Sequence, residues 1–256
     1  MNRPPMIVYR KFGLRIGDVF FDDQEWGEPV DILRCHERSS PLPGFDCSPF
    51  YTILIDLTKP EAVLLGEVKK GTRYEIRRAE GRDQLTQRMW YPCSSEVLLR
   101  FCRFYDRFAE GKGLSKSNKA RLLSLSNASL LCLSSVDGSD GTELVWHAYV
   151  RTPERPRLLH SASLFRESGD AAHRQLVGRA NRYLHWQDLL RFKGEGIPCL
   201  DMGGWYEGTG DAERLRINEF KQEFGGEIVK TFNCRAGRTM IGRLVLRILK
   251  SLKRAG

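Results

Sequence analysis

Long apolar runs are missing from this chain: nothing in its 256 residues approaches the roughly 20 consecutive apolar residues of a membrane-spanning helix. Its opening residues, MNRPPMIVYRKFG, lack the apolar core of a secretory leader, so a cytoplasmic protein is expected. HExxH, GxSxG, a P-loop and the GxGxxG dinucleotide fingerprint are all absent. Their absence sets aside the common zinc-peptidase, serine-hydrolase, P-loop and Rossmann readings. The cysteines, at 35, 47, 93, 102, 132, 199 and 234, form no CxxC pair and no zinc-type spacing, so no metal site is expected. Several lie in apolar surroundings, as in Leu131-Cys132-Leu133, and the set reads as buried thiols in a reducing compartment.

Positive charge is in excess. Lys and Arg number 41 against 32 Asp and Glu, a net charge of +9. That bias favours anionic partners such as tRNA, a pyrophosphate-linked sugar, coenzyme A or an acidic membrane face, and it equally fits an ordinary basic soluble protein. A hydrophobic fraction of 41% supports a sizeable core, arranged as one large domain or two small ones.

Along the chain, residues 6–21 alternate and read as one or two strands, and 22–49 as mostly loop with a short helix over 30–36. His36, in a polar stretch, reads as a surface residue. Residues 49–57 are a strand, followed by a helix capped at Thr58 and a second helical piece over 73–80. The basic cluster Lys69, Lys70, Arg73, Arg77, Arg78 and Arg82 places Lys70, Arg73 and Arg77 on one helical face. That face either tracks a phosphate or pyrophosphate or is a solvated surface laced with ion pairs. Ser94 caps an aromatic-striped helix running to about residue 110. Helix 116–126 and strands 129–135, 143–151 and 157–164 follow, the strands joined by short turns into an antiparallel meander. Residues 170–192 are a long helix with His185 and Trp186 on its broad apolar face.

The most informative stretch is 194–229. A buried strand over 197–202 carries Asp201 and is expected to stop at Gly203-Gly204, where backbone approaches something closely. A loop over 205–210 carries Trp205 and Tyr206, Asp211 caps a helix ending at Phe224, and Gly225-Gly226 leads into another strand. The two halves of this block, Asp201-Met202-Gly203-Gly204 and Phe220-Lys221-Gln222-Glu223-Phe224-Gly225-Gly226, resemble the signature of the FemABX-like peptidoglycan aminoacyltransferases and their relatives in the GNAT-type acyltransferase superfamily. Upstream, LIDLTKPEAVLLGEVKKGTRYEIRRAEG is similar to the family's strand, helix and basic segment. Members usually carry two such domains in tandem, and this chain is long enough for one.

The resemblance implies an α/β, GNAT-type fold with a mixed central sheet flanked by helices. Residues 1–236 would form a single domain, with 1–90 adding a strand layer and the basic helix to a core of 91–236. The strand over 197–202 is expected beside the strand over 143–151. The implied activity is acyl or aminoacyl transfer to an amine of a cell-envelope or polysaccharide precursor by direct aminolysis. That chemistry needs a stabilised oxyanion and a proton acceptor and no protein nucleophile. By resemblance, Lys221 lies near the acceptor phosphate and the reacting carbonyl, and Phe220 is a wall of that site. Asp201 either orients a substrate amine or caps backbone. Gly203, Gly204, Trp205 and Tyr206 are candidate substrate contacts, the aromatics by packing or stacking on a ligand. His147 and His160 are either proton acceptors flanking the cleft or hydrogen-bonded core residues.

No cofactor is expected to be resident; the donor co-substrate would be aminoacyl-tRNA or acyl-CoA. The glycine-rich pyrophosphate loop of coenzyme-A-binding relatives is not evident at residues 166–170, which favours aminoacyl-tRNA. The partner would be an anionic, lipid- or nucleotide-linked amine acceptor. Two other classes stay open: a GNAT-fold binding module without turnover, and an RNA-binding protein using the 69–82 basic patch. Residues 237–256 form a basic amphipathic helix. Its apolar residues fall within about 140° of arc, opposite Arg243, Arg247, Lys250, Lys253 and Arg254. It either docks on the domain or lies on an anionic membrane, which would hold the protein at the inner face of the bilayer.

Overall fold

The computed structural model describes residues 6–21, 28–165 and 170–255. In chain order the first elements are β1 (Ile7–Lys11), β2 (Leu14–Phe20), β3 (Ile32–Arg38), β4 (Asp46–Asp56), α1 (Glu61–Glu67), α2 (Lys70–Arg82) and β5 (Thr86–Trp90). There follow α3 (Ser95–Lys112), α4 (Lys119–Asn127), β6 (Leu131–Asp137), β7 (Glu143–Val150) and β8 (Arg157–Ser163). The last are α5 (Ala171–Gly194), β9 (Cys199–Trp205), α6 (Ala212–Gln222), β10 (Glu227–Gly237) and α7 (Met240–Ala255). The chain divides into two compact units. One comprises Met1–Thr52, Asn118–Ala128 and Val229–Gly256, the other Ile53–Ser117 and Ser129–Ile228.

In the first unit β1 and β2 form an antiparallel hairpin turned by Phe12 and Gly13, both at positive φ. β2 pairs in parallel with β3, and β3 runs antiparallel to β10. The helix expected over 30–36 is therefore a strand. Ile32, Leu33 and Cys35 fit a helical period as readily as a strand, and two neighbouring ladders decide for the strand. Asp18 on β2 is fully buried and gathers Arg34 at 2.6 and 2.8 Å, Arg121 at 2.7 Å and His36 at 3.3 Å. His36 is thus no free surface residue; its ring also stacks on Phe20 at 5.1 Å. Cys47 and Cys234, on the neighbouring strands β4 and β10, are joined by a disulfide with a Cα separation of 4.0 Å. This corrects the reading of all the cysteines as reduced thiols. A separation of 187 residues hides the pairing from any spacing rule.

In the second unit, the C-terminal part of β4 is followed across the sheet by β9, β8, β7, β6 and β5. β5 to β8 are an antiparallel meander, and β8 and β9 are parallel, joined through α5. β5 went unread in the sequence. The expected neighbour of β9 is also corrected: β8 stands between it and β7. A β-α-β crossover lays its second strand beside the strand that enters the helix, and that strand is β8. Asp170 caps α5 by accepting from Ala172 and His173 N–H, and Asp211 caps α6 by accepting from Glu213 and Arg214 N–H. Thr58 caps no helix; it folds onto Asp56, and α1 begins after Pro60. The core between sheet and helices gathers Ile53, Ile55, Tyr149, Trp186, Phe192, Leu200 and Phe224.

Two glycines mark close approaches. Gly203 (φ +74°) lies inside β9, and a Cβ there would sit 2.7 Å from the Leu158 carbonyl oxygen. Gly226 (φ +88°) has the same relation, at 2.7 Å, to the Leu54 carbonyl. β9 thus continues through the diglycine to Trp205 instead of stopping at it: glycine removes the clash and lets the backbone take a turn of φ without leaving the sheet.

Candidate functional site

The β8–β9 ladder is limited to Arg157↔Asp201. Along the rest of β8, within the second unit, lies a cavity of about 620 Å³. Its walls come from four elements. α3 and its end supply Tyr105, Phe108 and Leu114; β8 supplies Leu158, His160 and Ser161; α5 supplies Asn181 and His185; α6 supplies Ile217, Phe220 and Lys221. Arg107, Lys112 and Arg216 add positive charge, and Lys112 bridges to Glu213 of α6 at 3.1 Å. An apolar interior carrying a few convergent polar groups is what a small-molecule site requires.

Lys221 sits in the last turn of α6, where its ammonium donates to the Gly204 carbonyl of β9. The Phe-Lys motif and the Asp-x-Gly-Gly strand thus touch directly. Phe220 packs on His185 at 5.4 Å and on Phe224 at 5.6 Å, beneath the Arg182 guanidinium at 5.2 Å. His160 also reaches the cavity, held between Tyr105 at 4.6 Å and Phe101 at 6.2 Å. Of the sequence candidates, Lys221, Phe220 and His160 share this one cavity.

The others are placed elsewhere. Asp201 is fully buried and is not in the lining of this cavity. Its carboxylate accepts from the Arg155 guanidinium and, at 2.7 Å, from Gly203 N–H. Of the two roles left open for it, backbone capping is the one observed. His147 is equally buried: its ring nitrogens lie 2.9 Å from Asp188 and 3.0 Å from Asn181. It meets the cavity lining through Asn181 and through the His185 ring, 4.1 Å away. Gly204, Trp205 and Tyr206 line a separate depression of about 240 Å³ that shares Ile217 with the main cavity. Trp205 packs on the core, and Arg214 occupies the face of Tyr206 at 5.3 Å, so neither ring is an open stacking platform.

The basic helix turns its cations in different directions. Arg73 donates to the Leu65 and Gly66 carbonyls at the end of α1, while Lys70 and Arg77 are exposed. Instead, Lys69 and Arg78 line a cleft of about 780 Å³ with Arg174, Arg179 and Arg182 of α5. Asp83 pairs with Arg179 at 2.6 and 3.0 Å, and Glu223 with Arg182 at 2.9 and 3.2 Å. The buried stripe of α2, apolar at Ile76 and Ala79 and with the Thr72 hydroxyl donating to Glu223 at 2.8 Å, sets the helix's rotation, because a helix turns its buried stripe inward whatever charges flank it. Phe165 lines both cleft and cavity. The segment read for a pyrophosphate loop, residues 166–169, lies outside the described residues.

His185 was read as part of a core face, and the structure gives it a second role. It is 2% exposed, lines the cavity, and its Nδ1 has no hydrogen-bond partner among the described residues. Burial first, then the positive fields of His147, Lys221 and Arg182, push its pKa well below the ordinary imidazole value. It is therefore a neutral imidazole at physiological pH. The signal in the sequence was the spacing Asn181, His185, Asp188, which places three polar groups on one stripe of an otherwise apolar helix face.

No protein-family model and no curated protein matches the chain. Solved structures do. A crystal structure of FemX matches at 13% identity with a TM-score of 0.58, covering 72% of this chain and 61% of FemX. The C-terminal domain of a putative lysylphosphatidylglycerol synthetase from Agrobacterium fabrum matches at 12% identity and a TM-score of 0.58, covering 96% of this chain and 85% of that domain. L-PGS from Bacillus licheniformis matches at 13% identity and a TM-score of 0.50, with 85% and 71% covered. The chain shares the GNAT-like fold of these structures.

Proposed function

We propose that the chain is an acyltransferase that joins an acyl or aminoacyl group to an amine by direct aminolysis, in the cavity between β8 and α6. The observation that carries this reading is the convergence, on one apolar cavity, of the Lys221 ammonium and the His185 imidazole, whose Nδ1 has no partner among the described residues. The amine nitrogen attacks the donor's ester or thioester carbonyl, and the new C–N bond forms as the carbonyl oxygen takes up negative charge. Lys221 stabilises that charge. Collapse of the intermediate breaks the C–O or C–S bond, and the amine's proton passes through His185 or His160 to the departing carrier. Asn181 and Ser161 orient the reacting groups, and the Tyr105–Phe108 wall takes the apolar part of the donor.

An anionic carrier, tRNA or coenzyme A, would lie in the neighbouring basic cleft, which Phe165 joins to the cavity. Aminoacyl-tRNA remains the favoured donor, and an amine on a cell-envelope precursor the favoured acceptor. The test is incubation with charged tRNA and, in parallel, with acyl-CoA, in the presence of amine-bearing envelope precursors, followed by mass analysis for amide products. Product from one donor, abolished by Lys221→Ala and weakened by Arg78→Glu, supports the reading. Donor binding without turnover would make the chain a binding module. Salt-sensitive RNA affinity with no acyl transfer would make it an RNA-binding protein.

A further inference from the structure

The helix α7 has one flank fastened and another bare. On the fastened flank, Gly242 is buried, and a Cβ there would lie 2.0 Å from the Asp31 carbonyl oxygen. Arg238 N–H donates to that same carbonyl at 2.8 Å, and the Thr239 hydroxyl donates to the Asp31 carboxylate at 2.7 Å. On the bare flank, Ile241, Leu244, Ile248, Leu249 and Leu252 are between 43 and 65% exposed. A row of large aliphatic side chains one helix long is a face that ordinarily finds cover.

Charge identifies the cover. Arg243 and Arg247 lie on the polar side of α7 and are exposed, Lys250 beside them reaches the Asp46 carboxylate at 3.3 Å, and from residue 228 to residue 256 the sequence has no aspartate or glutamate. A second copy of the chain would bring two net-positive helices together. An anionic bilayer supplies both an apolar depth for the aliphatic row and phosphates for its borders. Sixteen residues make a helix roughly 24 Å long, which suits lying in the interface; no described helix is long and apolar enough to cross a membrane.

We propose that α7 docks the protein on an anionic membrane surface, its aliphatic row in the acyl boundary and its arginines at the headgroups. This site does not depend on the acyl-transfer reading. The test is co-sedimentation of the full chain with phosphatidylglycerol and with phosphatidylcholine vesicles, at low and high salt. Phosphatidylglycerol vesicles should bind it and release it at high salt, and phosphatidylcholine should bind it at least about tenfold more weakly. Leu244→Glu with Ile248→Glu should abolish binding with an unchanged far-ultraviolet circular dichroism spectrum, since both positions are exposed. Arg243→Gln with Arg247→Gln should weaken binding to phosphatidylglycerol about 25-fold, some fivefold per charge. Unchanged binding by the glutamate pair overturns the proposal, as does failure of the wild-type chain to bind phosphatidylglycerol. A dimer in sedimentation velocity that the glutamate pair dissolves, without vesicle binding, assigns the face to a second copy instead.

Discussion

His147 Nδ1 lies 2.9 Å from Asp188 Oδ2, and neither side chain is exposed. The same oxygen accepts from the Ser134 hydroxyl at 2.7 Å and the Tyr149 hydroxyl at 2.8 Å. One carboxylate on α5 therefore ties down β6 and β7 and, through His147, aims Asn181 at the cavity. A buried charge held by several donors is costly to expose or to orphan. Asp188→Ala leaves three donors unpaired and should destabilise the protein by about 3–5 kcal/mol, read as a lower urea midpoint. Ser134→Ala removes one donor only and should cost about 1 kcal/mol.

His185 gives a pH signature. Its pKa in the folded state is pushed well below 6.5, by burial first and then by His147, Lys221 and Arg182. The unfolded chain therefore takes up a proton near the ordinary value that the folded chain refuses. Stability is unaffected above that value and falls as pH drops below it, down to the folded pKa, by up to about 1.4 kcal/mol per pH unit. His36, also lowered by burial against the opposing pull of Asp18, acts in the same direction. Unfolding free energies measured from about pH 5 to pH 8 should show a shallower acid limb in His185→Gln than in the wild type. Parallel limbs would mean that folding leaves the His185 pKa unchanged.

Asp18 titrates with the opposite history. Burial alone would raise its carboxyl, but the His36 imidazole, Arg121 and Arg34 outweigh burial and hold it well below 3.8. A depressed carboxylate contributes stability that is present above its unfolded pKa and is lost as pH falls through the folded value. Asp18→Asn removes that contribution and leaves two guanidinium groups without their shared partner. Destabilisation of about 3–5 kcal/mol is expected at neutral pH, shrinking under acid.

These networks explain how far the sequence could be read. Elements with strong local signals were legible: the Ser94 and Asp211 caps, the meander turns, and the diglycines around Lys221. The two halves of the Lys221 motif were legible too, but not the contact between the Lys221 ammonium and the Gly204 carbonyl. What was hidden depends on pairing between distant segments. β3 needed β2 and β10 to be a strand, and Cys47 needed Cys234. Arg73 needed the end of α1 as its partner, which turned Arg78 toward the cleft in its stead. His147 and His185 were visible as histidines. Only the crossing of α5 over β7 reveals that one is bound to a carboxylate while the other keeps a bare nitrogen beside the cavity.

Lys221 offers the sharpest separation of chemistry from folding. Its ammonium is half-buried at the end of α6 and donates to a backbone carbonyl, so Lys221→Met keeps the aliphatic stem and removes only the charge. A stability loss of about 1.5–3 kcal/mol is expected, the net value of one hydrogen bond to a charged group. If the charge stabilises an oxyanion, kcat should fall by about 10²–10³, with donor affinity little changed. Lys221→Arg keeps the charge but replaces a compact ammonium with a planar fork that misaligns with the Gly204 carbonyl, and should recover only part of the rate. A variant that loses donor affinity while keeping kcat would instead place Lys221 in ground-state binding, because an interaction made equally in substrate and transition state raises KM and leaves the chemical step alone.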